Sequence, residues 1–351
     1  METLSKLSWI FFIIMIIGCS NPDSQKESQE PQNSQEIQTT QANDTISSVN
    51  NLPAYVELHK SGELKKRGEE LWQRMYKCDL CPQKCNANRI AGERGICGAS
   101  SDLEIASYGA HFGEEPAFVG IGGTGRIFFT HCPLRCVYCI NAKVSQEGYG
   151  EKYTIEDLAE MMLSLQNKAC ENICLVTPTQ YTPHILLALD IAIEKGLRLP
   201  IIYNTSAYEN PEILKYFDGI VDIYLTDLKF GCSKTAGQFT ANAYNYVDSA
   251  YCSLIEMQKQ VGTAKLDSST GLWSKGLIIR HLVMPNNIAC SEELIKWISE
   301  NLPKDTYLTI MPNYEPLYKA KDYPEINRST NSEEYLEVIE FAKQYGLTNF
   351  H

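Results

Sequence analysis

With 351 residues, 44% hydrophobic and 10% aromatic, the chain can bury one barrel-sized core plus smaller appendages, which excludes a mini-protein stapled by disulfides. A formal net charge of -12 excludes a nucleic-acid binder, because neutralising phosphates takes a basic surface. Thirteen cysteines are many for this length, and their clustering decides their meaning: tight runs point to metal ligands, scattered pairs to disulfides.

The first element is a processing signal. "METLSKLSWIFFIIMIIGCS" carries Lys6, an apolar run from Leu7 to Ile17 that is too short to span a bilayer, and then Gly18-Cys19. This reads as a lipoprotein signal peptide over 1–19, with Cys19 as the lipidated residue and a membrane as its attachment. Ile17 departs from that pattern, since a small residue is usual two before the cysteine. An unprocessed segment, leaving the domain in the cytoplasm or on the cytoplasmic face of the membrane, is the alternative. Residues 20–52 are Ser, Gln, Asn, Thr and Glu with almost no large apolar side chain, so they read as a disordered tether, and folding is expected to begin near Pro53.

Residues 53–120 are expected to form a helix and a small cysteine-rich module. "ELKKRGEELWQRMYK" spaces Leu64, Leu71, Trp72 and Met75 on one helical face. "CDLCPQKCNANRIAGERGIC" follows and places Cys78, Cys81, Cys85 and Cys97 as C-x2-C-x3-C-x11-C. Four thiolates at that spacing suit a closed zinc or iron site; a second iron–sulfur cluster, or two disulfides in an exported protein, stay open.

From 121 to 351 the pattern alternates. Apolar, often β-branched runs occur at 126–130, 173–176, 200–204, 221–227, 276–283 and 306–311, and helical patterns lie between them, the first opened by a Thr154/Asp157 capping box. Strand followed by helix, repeated six times, predicts an α/β fold: a partial, open (β/α)6 barrel with function at the C-terminal ends of its strands. The loop after the first of these strands, "THCPLRCVYCINA", holds Cys132, Cys136 and Cys139 as C-x3-C-x2-C. Three cysteine ligands leave one iron of a four-iron cluster open to substrate.

That spacing resembles the radical S-adenosylmethionine superfamily. Together with "CDLCPQKCNANRIAGERGICG", "HFGEEP", "YNTSAYE", "DIYLTDLKF", "EMQKQVG" and "IRHLVMP", it is similar from about Cys78 onward to the branch related to pyruvate formate-lyase activating enzyme. The resemblance implies a [4Fe-4S] cluster on Cys132, Cys136 and Cys139. It implies reductive cleavage of S-adenosylmethionine to a 5′-deoxyadenosyl radical that abstracts hydrogen, a reductant such as flavodoxin or ferredoxin, and a glycyl-radical enzyme as partner. It places Tyr138 near the adenine, Asp227 and Lys229 near the S-adenosylmethionine carboxylate, and Asn204 and Thr205 near its ribose or methionyl group. Of Arg280 and His281, on opposite faces of one strand, Arg280 is expected to face the interior and His281 to be structural. Two other functions remain open: a radical enzyme modifying a peptide or small molecule, and an electron-transfer iron–sulfur protein without catalysis.

Several motifs fit less well. Many relatives carry Gly-Gly-Glu after the second strand to hold the amino group of S-adenosylmethionine; here Thr177 to Gln180 read "TPTQ", leaving backbone carbonyls as the substitute. Gly122, Gly123 and Gly125 are expected in a tight turn, and His111, Glu114 and Glu115 in a polar loop against the cysteine module rather than in catalysis. Cys170, Cys174, Cys232, Cys252 and Cys290 read as buried small residues or incidental thiols.

Overall fold

The computed structural model describes residues 52–351. The expectations for the signal peptide, Cys19 and most of the tether therefore lie outside the described residues. No described helix is long and apolar enough to cross a membrane.

The chain enters through α1 (Tyr55–Lys60) and α2 (Glu63–Gln73), and α2 turns Leu64 and Leu71 inward. The four upstream cysteines follow in irregular chain. Then come β1 (Leu103–His111), a short α3 (Pro116–Val119), β2 (Thr124–Phe129), the triad loop, α4 (Ala142–Ser145) and β3 (Glu151–Tyr153). From here strand and helix alternate: α5 (Ile155–Asn167), β4 (Ile173–Val176), α6 (Thr182–Glu194), β5 (Ile201–Thr205), α7 (Pro211–Leu214) and β6 (Ile223–Asp227). The rest are α8 (Ser233–Phe239), α9 (Tyr246–Val261), β7 (Lys265–Leu266), β8 (Trp273–Leu282), α10 (Ser291–Asn301), β9 (Tyr307–Met311) and α11 (Ser332–Gln344). The capping box at α5 forms as expected: Thr154 Oγ1 accepts from the Asp157 amide at 3.0 Å and Asp157 Oδ2 from the Thr154 amide at 2.9 Å.

The strands make one curved sheet. β2, β4, β5, β6, β8 and β9 run parallel in that order, and one row of register partners, Phe128, Val176, Asn204, Leu225, Ile278 and Tyr307, crosses all six. Among the described residues β9 pairs with β8 and not with β2, so the barrel is partial and open, as expected. Its two faces bury different cores. Ile202, Leu225 and Ile278 point inward and pack with Phe118 of α3, so the β1–β2 connection fills the lower lumen. Leu175, Tyr203, Tyr224 and Ile279 point outward beneath the helices, in the larger core that also takes Leu64 and Leu71.

Two features differ from expectation. The chain up to residue 120 is not set apart from the barrel: β1 pairs antiparallel with β2 and with β3, extending the sheet, and α2 packs on α6, so the expected 120/121 boundary falls within the connection of two paired strands. Cys232 and Cys290 are bonded to each other, fastening the loop after β6 to the start of α10. Their separation of 58 residues hides that pairing from sequence spacing. Gly122 proves necessary for close approach, since a Cβ there would lie 1.8 Å from the Ala169 carbonyl oxygen, whereas Gly123 makes the turn, with φ of 80°.

Glu209, just past β5, is fully buried. Its Oε1 accepts from the Thr179 and Thr205 hydroxyls at 2.5 Å each, and its Oε2 from the Tyr203 hydroxyl at 3.3 Å. Burial pushes its carboxyl up from 4.5 to about 7, although the three hydroxyls act to lower it. The fold therefore holds this proton where the unfolded chain has lost it, so its stabilising contribution is complete below pH 4.5 and is lost as pH rises to about 7. Thermal unfolding scans across that window should show Glu209→Gln with a flatter pH profile than the native chain, a difference amounting to about 3 kcal/mol at its upper end. Parallel profiles would refute this role.

Candidate active site

The triad loop leaves the end of β2 and is tied down on all sides by backbone hydrogen bonds. The His131 amide donates to Val144 at 2.9 Å, Val137 to Phe239 at 2.9 Å, Ala241 to Leu134 at 3.0 Å and Lys319 to Val137 at 2.9 Å. His131 and Arg135 adopt positive φ of 66° and 49°, which turns the chain sharply enough to bring cysteines three and four apart onto one side. Gln180, within the "TPTQ" stretch, braces the loop from β4: its Nε2 donates to Thr130 O at 2.7 Å and to Thr177 O at 2.9 Å.

Cys132, Cys136 and Cys139 are unbonded thiols there, Cys136 buried and the others half-buried. Burial pushes the Cys132 thiol up to about 11 and the Cys136 thiol to about 12, against the pull of the Lys229 ammonium. Thiols so placed ionise only beside a strong positive charge, as a metal centre supplies. Among the described residues, Cys232, Cys290 and Glu293 alone bring three ligand atoms within 4.8 Å of one another, so the triad is too open to close on a single ion. Three free thiols, spread apart and partly exposed at a barrel mouth, suit a [4Fe-4S] cluster held at three corners.

Beside them runs a chain of alternating charge. Lys229 Nζ donates to Asp227 Oδ2 at 3.2 Å, Arg280 Nε to Asp227 Oδ1 at 2.9 Å, and Arg280 Nη1 to Glu114 Oε2 at 2.9 Å. Burial works to raise Asp227, but Arg280 and Lys229 outweigh it and hold the carboxyl down at about 2. Lys229 feels burial in the opposite sense; Asp227 and the thiols of Cys136 and Cys139 raise it, so it stays a cation facing the cysteines. Its amide donates to the Tyr246 hydroxyl at 2.8 Å, which fixes where the side chain starts.

Arg280 faces the interior as expected. His281 points the other way: its Nδ1 donates to Leu228 O at 2.9 Å and its Nε2 accepts from Ser291 Oγ at 2.8 Å, a fully buried structural histidine. Tyr138 is buried beside the triad, its ring edge-on to Phe230 at 6.2 Å and Tyr314 at 5.7 Å. Asn204 lies on the lumen face, against the Cys174 thiol. Thr205 does not join it. Strand alternation turns its hydroxyl outward to Glu209, so the expectation that it meets S-adenosylmethionine is corrected.

Sequence reasoning also placed Glu114 and Glu115 wrongly. Rather than packing on the cysteine module, Glu114 caps the Arg280 guanidinium inside the barrel, and Glu115 Oε2 is buried without a partner, as is Thr309 Oγ1 on the strand beside Arg280. Buried polar atoms of this kind ordinarily find a ligand or water. A loop that precedes β2 in sequence gave no sign of reaching β8, 166 residues away.

The strand-end cysteine triad on this open parallel barrel lies within a Radical SAM superfamily domain, which the chain carries at residues 127–240. The chain is also similar to an uncharacterized protein of Methanocaldococcus jannaschii, 30% identical over 287 residues that make up 79% of this chain and 78% of that one.

Because Arg280 neutralises two carboxylates in a setting only 14% exposed, Arg280→Ala should cost about 3 kcal/mol in denaturant unfolding, and removing Glu114 as well should recover part of it. Additive losses from the two substitutions would mean that the charges are independently solvated.

Proposed function

We propose that the chain is a radical S-adenosylmethionine enzyme of the activating-enzyme type, abstracting hydrogen from a glycyl-radical partner. The observation that carries the reading is the juxtaposition of three unbonded thiols with a cation, Lys229, that is itself fixed by Asp227. A cluster on Cys132, Cys136 and Cys139 would supply the electron that splits the sulfonium of S-adenosylmethionine to methionine and a 5′-deoxyadenosyl radical.

The chain's own residues hold that molecule in place. Lys229 offers its ammonium to the substrate carboxylate, with Asp227 limiting where it can swing. Tyr138 presents the ring beside the cysteines to the adenine, and Asn204 offers its amide from the lumen wall. The bracing of Thr177 by Gln180 holds the carbonyls of the "TPTQ" turn at the place where relatives use Gly-Gly-Glu. The free oxygen of Glu115 and the Thr309 hydroxyl, at the depth of Arg280, remain for the hydrogen donor. A flavodoxin or ferredoxin is the reductant in this reading. Reconstituted anaerobically and reduced, the native chain should turn S-adenosylmethionine into 5′-deoxyadenosine, and Cys136→Ala should lower the rate by about a hundredfold or more. A native chain that carries the cluster but yields no 5′-deoxyadenosine would leave only electron transfer.

Separately from the catalytic reading, whose electrons and S-adenosylmethionine are supplied in the cytoplasm, we propose lipidation of Cys19, with 20–52 as the tether that lets the domain stand clear of the membrane. The Cys232–Cys290 bond supports it, since such bonds persist chiefly in exported proteins. Palmitate labelling should be lost in Cys19→Ala and the protein should leave the membrane fraction; a membrane-bound variant would refute the anchor.

A further inference from the structure

Cys78, Cys81, Cys85 and Cys97 gather beneath the triad loop, none of them disulfide-bonded. Cys81 lies within electrostatic reach of all three others. The chain is folded back to bring them together: Asn86 donates to Cys78 O at 2.9 Å, Cys78 to Ala87 O at 3.0 Å and Lys84 to Cys81 O at 3.0 Å, with Lys84 and Asn86 both at positive φ. The surroundings are built for thiolates. Arg89, 1% exposed, holds Nη1 at 3.9 Å from Cys78 Sγ; the same Nη1 donates to Gln180 O at 2.7 Å, Ser100 O takes Nε and Nη2, and the Ala99 amide donates to Cys97 Sγ at 3.4 Å.

The spread of the sulfurs chooses the metal. A tetrahedral zinc with sulfurs at about 2.3 Å holds those sulfurs roughly 3.8 Å from one another. Among the described residues no three of these thiols fall within 4.8 Å of each other, so the set is too wide for one ion. Sulfurs bound to separate irons of a cluster stand further apart.

The site also abuts the triad. Arg135, between Cys132 and Cys136, donates from Nη1 to Cys97 O at 3.2 Å; Gln83 Nε2 donates to Pro133 O at 3.2 Å; and a Cβ on Gly98 would meet His131 Nδ1 at 2.8 Å. The two cysteine-bearing segments are thus in direct contact.

We propose that Cys78, Cys81, Cys85 and Cys97 hold a second iron–sulfur cluster that relays electrons to the one on Cys132, Cys136 and Cys139. A low-potential one-electron donor of the flavodoxin or ferredoxin class reduces the upstream cluster by one electron, and that electron passes to the triad cluster; no bond or proton changes in the relay. The acceptor half rests on the function proposed above, whereas the upstream site does not.

Iron and sulfide analysis of the anaerobically reconstituted native chain should find about eight of each, two four-iron clusters' worth. The variant with Ala at Cys132, Cys136 and Cys139 should keep about four, with a reduced-state EPR signal that S-adenosylmethionine does not move. About four irons plus one zinc in the native chain, or upstream thiols that all titrate as free, would overturn the cluster. With both clusters reduced, the native EPR spectrum should be broadened by spin–spin coupling beyond the signal of the triad variant; plain superposition would overturn the relay. Two clusters in a native chain that makes no 5′-deoxyadenosine would sink the enzyme reading alone.

Discussion

Asp227 is the point on which the site depends. It ends β6 and takes Lys229 on one oxygen and Arg280, from β8, on the other, while Arg280 passes the contact on to Glu114 from the connection ahead of β2. Four charges from three separate elements thus neutralise one another at the rim of the lumen. Such an ion-paired chain adds little net stability, because desolvating each charge offsets most of the Coulomb gain. What it adds is position. With either carboxylate missing, Arg280 would find other geometries, and without Asp227 Lys229 would lose the partner that aims it at the cysteines.

The fold around that node was legible wherever one residue type repeats at a fixed period. The six parallel strands are short apolar, often β-branched runs, and the helices between them carry caps such as Thr154. β1 was not legible. "LEIASYGAH" has one buried end and an exposed polar remainder, because it lies antiparallel at the sheet margin. The 3,4-spacing of Cys132, Cys136 and Cys139 and the alternation at Arg280 and His281 could be read because both are local. Glu114 on Arg280, Cys232 on Cys290 and Thr205 on Glu209 could not, since each depends on which element packs where, and even Thr205, four residues from its partner, needed the face of β5 to be known.

The upstream chain is fastened to the barrel more firmly than a detachable appendage requires. Arg89 reaches Gln180 O, Gln180 reaches Thr130 O, and Asn210 Nδ2 donates to Asp79 O, so cysteine-bearing chain and barrel loops share hydrogen-bonding partners. Gln180 is the pivot of that arrangement. It stands in the "TPTQ" turn after β4, and its amide is given to the protein, to Thr130 O and Thr177 O.

A closed barrel would have no room for this arrangement. With β9 unpaired to β2 among the described residues, the connection 112–123 can lay Phe118 into the lower lumen and still reach upward with Glu114 and Glu115. The lower half becomes apolar core around Phe118, Ile202 and Leu225, which supplies the rigidity that strand-end side chains need. The upper half stays polar and incompletely satisfied, with Glu115 and Thr309 holding unpartnered oxygens at the depth of Arg280. One inserted segment therefore does two jobs: its aromatic residue completes the packing, and its acidic residues set the charge of the space left above it.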